Sequence, residues 1–145
     1  MKQQKKIHRI YLARDLKSGL HKCSVDLSHR ILNVLRIKNN ATLSVFNHKG
    51  QECLSTVSID GKQVVLNLSE EIISGDNNSR MIRLCVSIIN MKLMDLIIQK
   101  SVELGVTNFI PIYTRRSQYK NVDKKLDHWK KTVIHATEQC GRLDI

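Results

Sequence analysis

The sequence predicts an α+β chain in two parts, a small β-barrel followed by the opening of a parallel α/β layer. Three observations carry this. The first half alternates apolar and polar residues in short runs between tight turns. The second half changes to one long apolar run and then to helical spacing. Between them lies SGDNNSR, residues 74–80, which contains no apolar residue. A period of two marks half-buried strands and a period near 3.6 marks helices with one buried side, so the change of period marks a change of architecture. The expected division is a barrel over 1–73, a linker over 74–80 and an α/β part over 81–145.

In the first part, HRIYL and KCSVDL are short strand candidates. SHRILNVLRI is a helix with Ser28 as N-cap, an apolar face of Ile31, Leu32, Val34 and Leu35, and a basic end. ATLSVFN and ECLSTVSI alternate as half-buried strands do, with HKGQ as the turn between them. Asp60-Gly61 is the dipeptide of a type I′ hairpin, and KQVVLNLS is the returning strand. Many short strands joined by tight turns suit a small barrel.

In the second part, IRLCVSIIN is apolar almost throughout, which suits a strand covered on both faces. MKLMDLIIQKSVELG is a helix ending at Gly105, a good left-handed terminator. Its polar positions, Lys92, Asp95, Gln99 and Glu103, form a narrow stripe, so Leu93, Met94, Ile97, Ile98, Val102 and Leu104 are expected to be buried. TNFIPIYT is a second strand and RRSQYKNV a basic loop. DKKLDHWKKTVIHATEQCGR is a last helix with Leu126, Trp129, Val133, Ala136 or Thr137, and Cys140 along one side. The order β–α–β–α implies a parallel sheet with crossovers. Two parallel strands make an incomplete sheet, so this layer is expected to be a beginning without its remainder.

Composition bounds the function. With 24 Lys and Arg against 13 Asp and Glu, the formal charge is +11, which favours a polyanionic partner such as RNA. Aromatics are 4 % of the chain, so the core must be aliphatic. Cys23, Cys53, Cys85 and Cys140 are far apart and form no C-x-x-C pair; they read as free thiols of a reducing cytoplasm. The histidines make no H-x-x-x-H pair, so no structural metal is expected. The basic opening MKQQKKIHRI precedes no apolar run, which argues against a secretory signal. No stretch has the length of a membrane span, and the last helix is the one weak candidate for lying on a membrane surface.

The stretch IIQKSVELGV (97–106), the loop TRRS (114–117) and the helix end HWKK…ATEQCGR (128–142), with HRIYL and SHRILNVLRI before them, resemble the ribosomal RNA small subunit methyltransferase E family. The resemblance implies a PUA-like RNA-binding barrel, then a knotted SPOUT domain that methylates uridine N3 of small-subunit ribosomal RNA with S-adenosylmethionine, in a homodimer. It covers roughly the first three-fifths of a member. The Gly-rich and leucine-rich cofactor loops, the knot and most of the dimer surface belong to the part beyond, and no G-x-G-x-x-G offers another cofactor site. The expectation is therefore a truncated, incomplete SPOUT-like domain that lacks its knot and binds no S-adenosylmethionine alone. The alternatives are a non-catalytic RNA-binding module or a remnant of the enzyme.

By the same resemblance Arg116 faces RNA and the reaction centre, because a guanidinium fork suits the carbonyls flanking a deprotonated imide. Arg115 stands where the family often has Glu. Glu138 and Arg142 either line the cleft or, four apart on a helix, pair with each other. Arg9, His29, Arg36, Lys38, Arg115 and Lys120 are the expected RNA contacts, set against ordinary surface charge.

Overall fold

The structure, a computed structural model, describes residues 7–75, 81–117, 119 and 121–143. The chain divides into two compact units, Met1–Gly75 and Asp76–Ile145.

The first unit is one five-stranded sheet of β1 (His8–Tyr11), β2 (Gly19–Lys22), β3 (Thr42–Phe46), β4 (Gln51–Asp60) and β5 (Gln63–Ser74), in the order β1-β3-β4-β5-β2. The β1–β3 pair is parallel and the other pairs are antiparallel. Strands β1 and β2 are its edges, so no barrel closes among the described residues. Alternation does what period two requires: Cys53, Ser55 and Val57 point inward while Leu54, Thr56 and Ser58 point out. The core joins Ile10, Leu12, Leu16, Ile31, Val45, Val57, Val64 and Leu66, an aliphatic set as expected.

Three local expectations are corrected. The run KCSVDL is not a strand. It crosses from β2 into α1 (Val25–His29), which Ser24 caps by accepting from the Leu27 N–H at 3.3 Å. Starting one turn early leaves Ser28 buried, where its Oγ accepts from the Val64 N–H and stitches the helix to β5. Helix α1 then runs into a π-helical stretch over Arg30–Val34. At the hairpin, Asp60 pairs with Gln63, so the central dipeptide is Gly61-Lys62. Only Gly61 has positive φ, at 55°, which is the II′ arrangement rather than I′. Finally, β5 runs through Ser74 into the expected linker. The Gly75 N–H donates to Gly50 O at 2.8 Å, and residues 76–80 lie outside the described residues.

The second unit contains the parallel pair β6 (Arg83–Ser87) and β7 (Asn108–Ile112), with α2 (Met91–Glu103) and α3 (Asp123–Cys140). Ile88, Met94, Ile98, Val122 and Trp129 form its core, with Val86, Phe109 and Val133 packed against it. The strands are covered less than expected: Cys85, Ile110 and Ile112 are exposed. On α2 the side bearing Met94, Ile98 and Val102 is buried, but Leu93 and Leu104 are 50 % and 81 % exposed. An apolar surface that wide spans more of the helix than α3 and the two strands can cover. Leu126 and Cys140, expected on the inner side of α3, are likewise exposed. All four cysteines are free thiols, and burial pushes Cys23 up to about 11, which makes it an inert core group.

Candidate functional site

In the first unit, Arg9 stands on β1 opposite Ser44 of β3, and Glu52 stands on β4 opposite Phe46. The register brings the two ions together. Arg9 Nε and Nη2 donate to the two oxygens of Glu52 at 2.8 and 3.0 Å, and the guanidinium lies 4.2 Å from the centre of the Phe46 ring. The Ser44 hydroxyl donates to the same carboxylate. Burial pushes Glu52 upward, but the donors Arg9 and Ser44 outweigh it and hold the carboxyl below the usual glutamate range. Arg9, expected on a phosphate, has its fork committed inside the sheet.

His29, Arg36 and Lys38 are all exposed, on or just after the α1 and π-helical segment. Arg36 has φ 52°, the left-handed conformation usually taken by glycine at a helix end. The Ile37 N–H reaches back to Ile31 O at 3.0 Å, and Ile37 is buried, so the chain turns at Arg36 and directs its side chain outward. Such a conformation costs a non-glycine residue about 1–2 kcal/mol.

In the second unit, ligand crevices of parallel sheets form beyond the carboxyl ends of the strands. Here that edge holds the N-terminus of α2, capped by Asn90 accepting from the Lys92 N–H at 2.9 Å, and the turn Thr114–Ser117. Ser117 N–H donates to Thr114 O at 3.0 Å, Thr114 N–H to Ser117 Oγ at 2.8 Å, and Ser87 Oγ lies 3.0 Å from Thr114 Oγ1. This knits the turn to β6 and leaves Arg115 and Arg116 exposed at its tip, without an ion-pair partner among the described residues. The Val122 N–H donates to the Tyr113 hydroxyl at 3.1 Å, which draws the ends of the loop together. Lys120 lies outside the described residues.

Arg142 is not brought to Arg116. Its Nη1 donates to Val102 O and Val106 O, each at 2.9 Å, beside the amino end of β7, whereas Arg116 follows the carboxyl end. Helix α3 runs back along the unit, so the two arginines sit at opposite ends of one strand. Half-buried Glu138 lies in the same last turns of α3 as Arg142. A pocket of about 70 Å³ lies beside Arg142, lined mainly by Ile98, Val102, Phe109, Val133 and Thr137.

Sequence reasoning missed Asp95 as an organiser. It accepts from Trp129 Nε1 at 3.1 Å and from His128 Nε2 at 3.0 Å, pinning α3 onto α2. The signal was present: a lone tryptophan on a helix's buried side needs an acceptor for its N–H.

A model of the RNA methyltransferase domain family matches residues 76–145. The ribosomal RNA small subunit methyltransferase E of Rickettsia conorii is 32 % identical over 140 residues, covering 95 % of this chain and 57 % of that protein. The protein of the same name from Buchnera aphidicola subsp. Schizaphis graminum is 30 % identical over 148 residues, covering 98 % of this chain and 60 % of that protein. Along 95–98 % of its own length the chain is similar to the ribosomal RNA small subunit methyltransferase E proteins. Solved structures agree in fold. A member from Neisseria gonorrhoeae bound to S-adenosyl methionine matches with TM-score 0.83 and 30 % identity, over 97 % of this chain and 59 % of that one. A Legionella pneumophila methyltransferase, in complex with the same cofactor, matches with TM-score 0.88 and 29 % identity, over 97 % and 60 %. The chain thus spans about 60 % of the length of the family members it matches.

The pocket beside Arg142 is mostly apolar and lies at the amino end of β7, away from the carboxyl edge where ligand crevices form, and the guanidinium at its edge already serves two carbonyls. No helix among the described residues is long and apolar enough to cross a membrane.

Proposed function

We propose that this chain is the RNA-recognising portion of an S-adenosylmethionine-dependent methyltransferase acting on uridine N3 of small-subunit ribosomal RNA, and that on its own it binds RNA and transfers no methyl group. The observation that carries the reading is the likeness to family members along nearly the whole chain, through both units. In this reading residues 1–73 are a PUA-like RNA-binding module, 74–80 a linker, and 81–145 the first part of a SPOUT domain.

The cations divide into three roles. Arg36, Lys38 and His29 are exposed on one segment, and one of them is held outward in a costly backbone conformation; they contact phosphates, which position RNA without reading its sequence. Arg9 braces the sheet through Glu52 rather than touching RNA. Arg115 and Arg116, at the carboxyl edge of β6 and β7, offer planar forks to the uracil carbonyls or their phosphates. Methylation of N3 requires loss of the imide proton, and guanidinium donors at the flanking carbonyls favour the anion.

Two titrations test it. Small-subunit ribosomal RNA should bind with an affinity that falls steeply as salt rises, and isothermal calorimetry with S-adenosylmethionine should show no heat of binding. Salt-independent RNA binding, or micromolar cofactor affinity, would refute the corresponding half.

A further inference from the structure

The functional reading leaves helix α3 unused. Its outer side carries Lys124, His128, Lys131 and His135, all exposed. Their spacing of four, three and four residues places them in one straight stripe, about 16 Å long at 1.5 Å per residue. Lys124, Lys131 and His135 have no hydrogen bond or ion pair among the described residues. His128 is held in place by Asp95 at 3.0 Å. A second acid, Asp127 on the flank of α3, lies 3.7 Å from Lys130. Half-buried Glu138 marks the far end of the stripe.

The near end meets the basic turn. Because the Tyr113 hydroxyl accepts from the Val122 N–H, the loop carrying Arg115 and Arg116 leaves β7 and returns to α3 at the same place. Lys124 is in the first turn of that helix, just past the point where the loop re-enters α3.

We propose that the Thr114–Ser117 turn and the outer face of α3 form one continuous track for the phosphodiester backbone of RNA. This rests on the reading of the chain as RNA-binding and extends the contact from the reaction edge along the second unit. A lipid surface is the competing polyanion, because α3 is basic and amphipathic. The structure argues against it. Trp129, Ala136 and Thr137 are buried and Val133 packs against the core, so the apolar side that would enter a bilayer is already occupied. What α3 presents outward is mostly charge.

The test uses the full chain, a fluorescein-labelled single-stranded oligouridylate, and anisotropy across a sodium chloride series. Each lost phosphate contact lowers the slope of log K against log salt by about 0.7 for a single strand, so K124Q/K131Q should lower it by about 1.4. The circular dichroism melt should be unchanged, since both side chains are exposed. If the parent binds RNA and the double variant keeps its slope, the track is overturned while the functional reading stands. If the parent binds no RNA at any salt, the functional reading itself falls. Vesicles of phosphatidylcholine and phosphatidylglycerol form the other arm. Vesicle binding that K124Q/K131Q abolishes, with RNA binding intact, would assign the stripe to lipid and overturn the proposal.

Discussion

The Arg9–Glu52 pair is the sharpest test of how the first unit is held together. Replacing Glu52 by Gln preserves shape and removes charge. Side-chain exposure is 13 % for Arg9 and 23 % for Glu52, so the pair is closer to buried than to superficial. Exposed pairs contribute about 0–1 kcal/mol, whereas breaking a buried one costs about 3–5 kcal/mol by stranding the remaining charge. Glutamine keeps one acceptor for Arg9, and Phe46 still underlies the guanidinium, which places E52Q near 2 kcal/mol of destabilisation. With a urea m-value of about 2 kcal/mol/M, the midpoint of the first unit should fall by about 1 M. The pH dependence has a definite sign. Glu52 is held below its ordinary value near 4.5, so its contribution is complete above that pH and is lost as the pH falls through the depressed value. The gap between parent and E52Q should therefore be widest near neutrality and narrow below about 4.5. Urea unfolding followed by circular dichroism at pH 7 and pH 3.5 measures both. A variant within 0.5 kcal/mol of the parent at neutral pH would refute the account.

Arg36→Gly should stabilise the first unit by about 0.5–1 kcal/mol, since relief of left-handed strain exceeds the entropy glycine adds to the unfolded chain. The same variant should weaken RNA binding in a filter assay; destabilisation would mean that Arg36 is not strained. Asp95→Ala leaves the buried Trp129 N–H without its acceptor and should cost about 1–3 kcal/mol in the second unit, with a shift in tryptophan emission. An unchanged emission maximum and stability would show that Asp95 does not pin α3. Ser55, buried on β4, has an Oγ with no hydrogen-bond partner among the described residues, so Ser55→Ala should be neutral or stabilising by up to about 1 kcal/mol. A loss of stability in urea would point to a partner for that hydroxyl.

Strand and helix identity was legible wherever a local rule sufficed. The alternation of ATLSVFN and ECLSTVSI placed β3 and β4, and the apolar spacing in MKLMDLIIQKSVELG placed α2 to within two residues. Where two local rules competed, the reading slipped. Ser24 and Ser28 are both acceptable caps, and only the unpaired Val64 N–H on a distant strand favours keeping Ser28 inside. Asp-Gly and Gly-Lys are both workable turn centres, and the cross-strand register of β4 and β5 selects the second.

For the candidate site the division is similar. The charge of +11, the aliphatic core and the basic loop TRRS follow from residue counts and neighbours along the chain. Which cations are available does not, because an arginine's freedom depends on what a remote strand sets beside it. Glu52 is 43 residues from Arg9, and the carbonyls that hold Arg142 are 40 and 36 residues away. Hydrophobic period and turn chemistry are properties of a short window, so they can be read from order alone. Ion pairing, burial and the docking of α3 on α2 through Asp95 depend on distances in space, which arise only when the strands and helices pack.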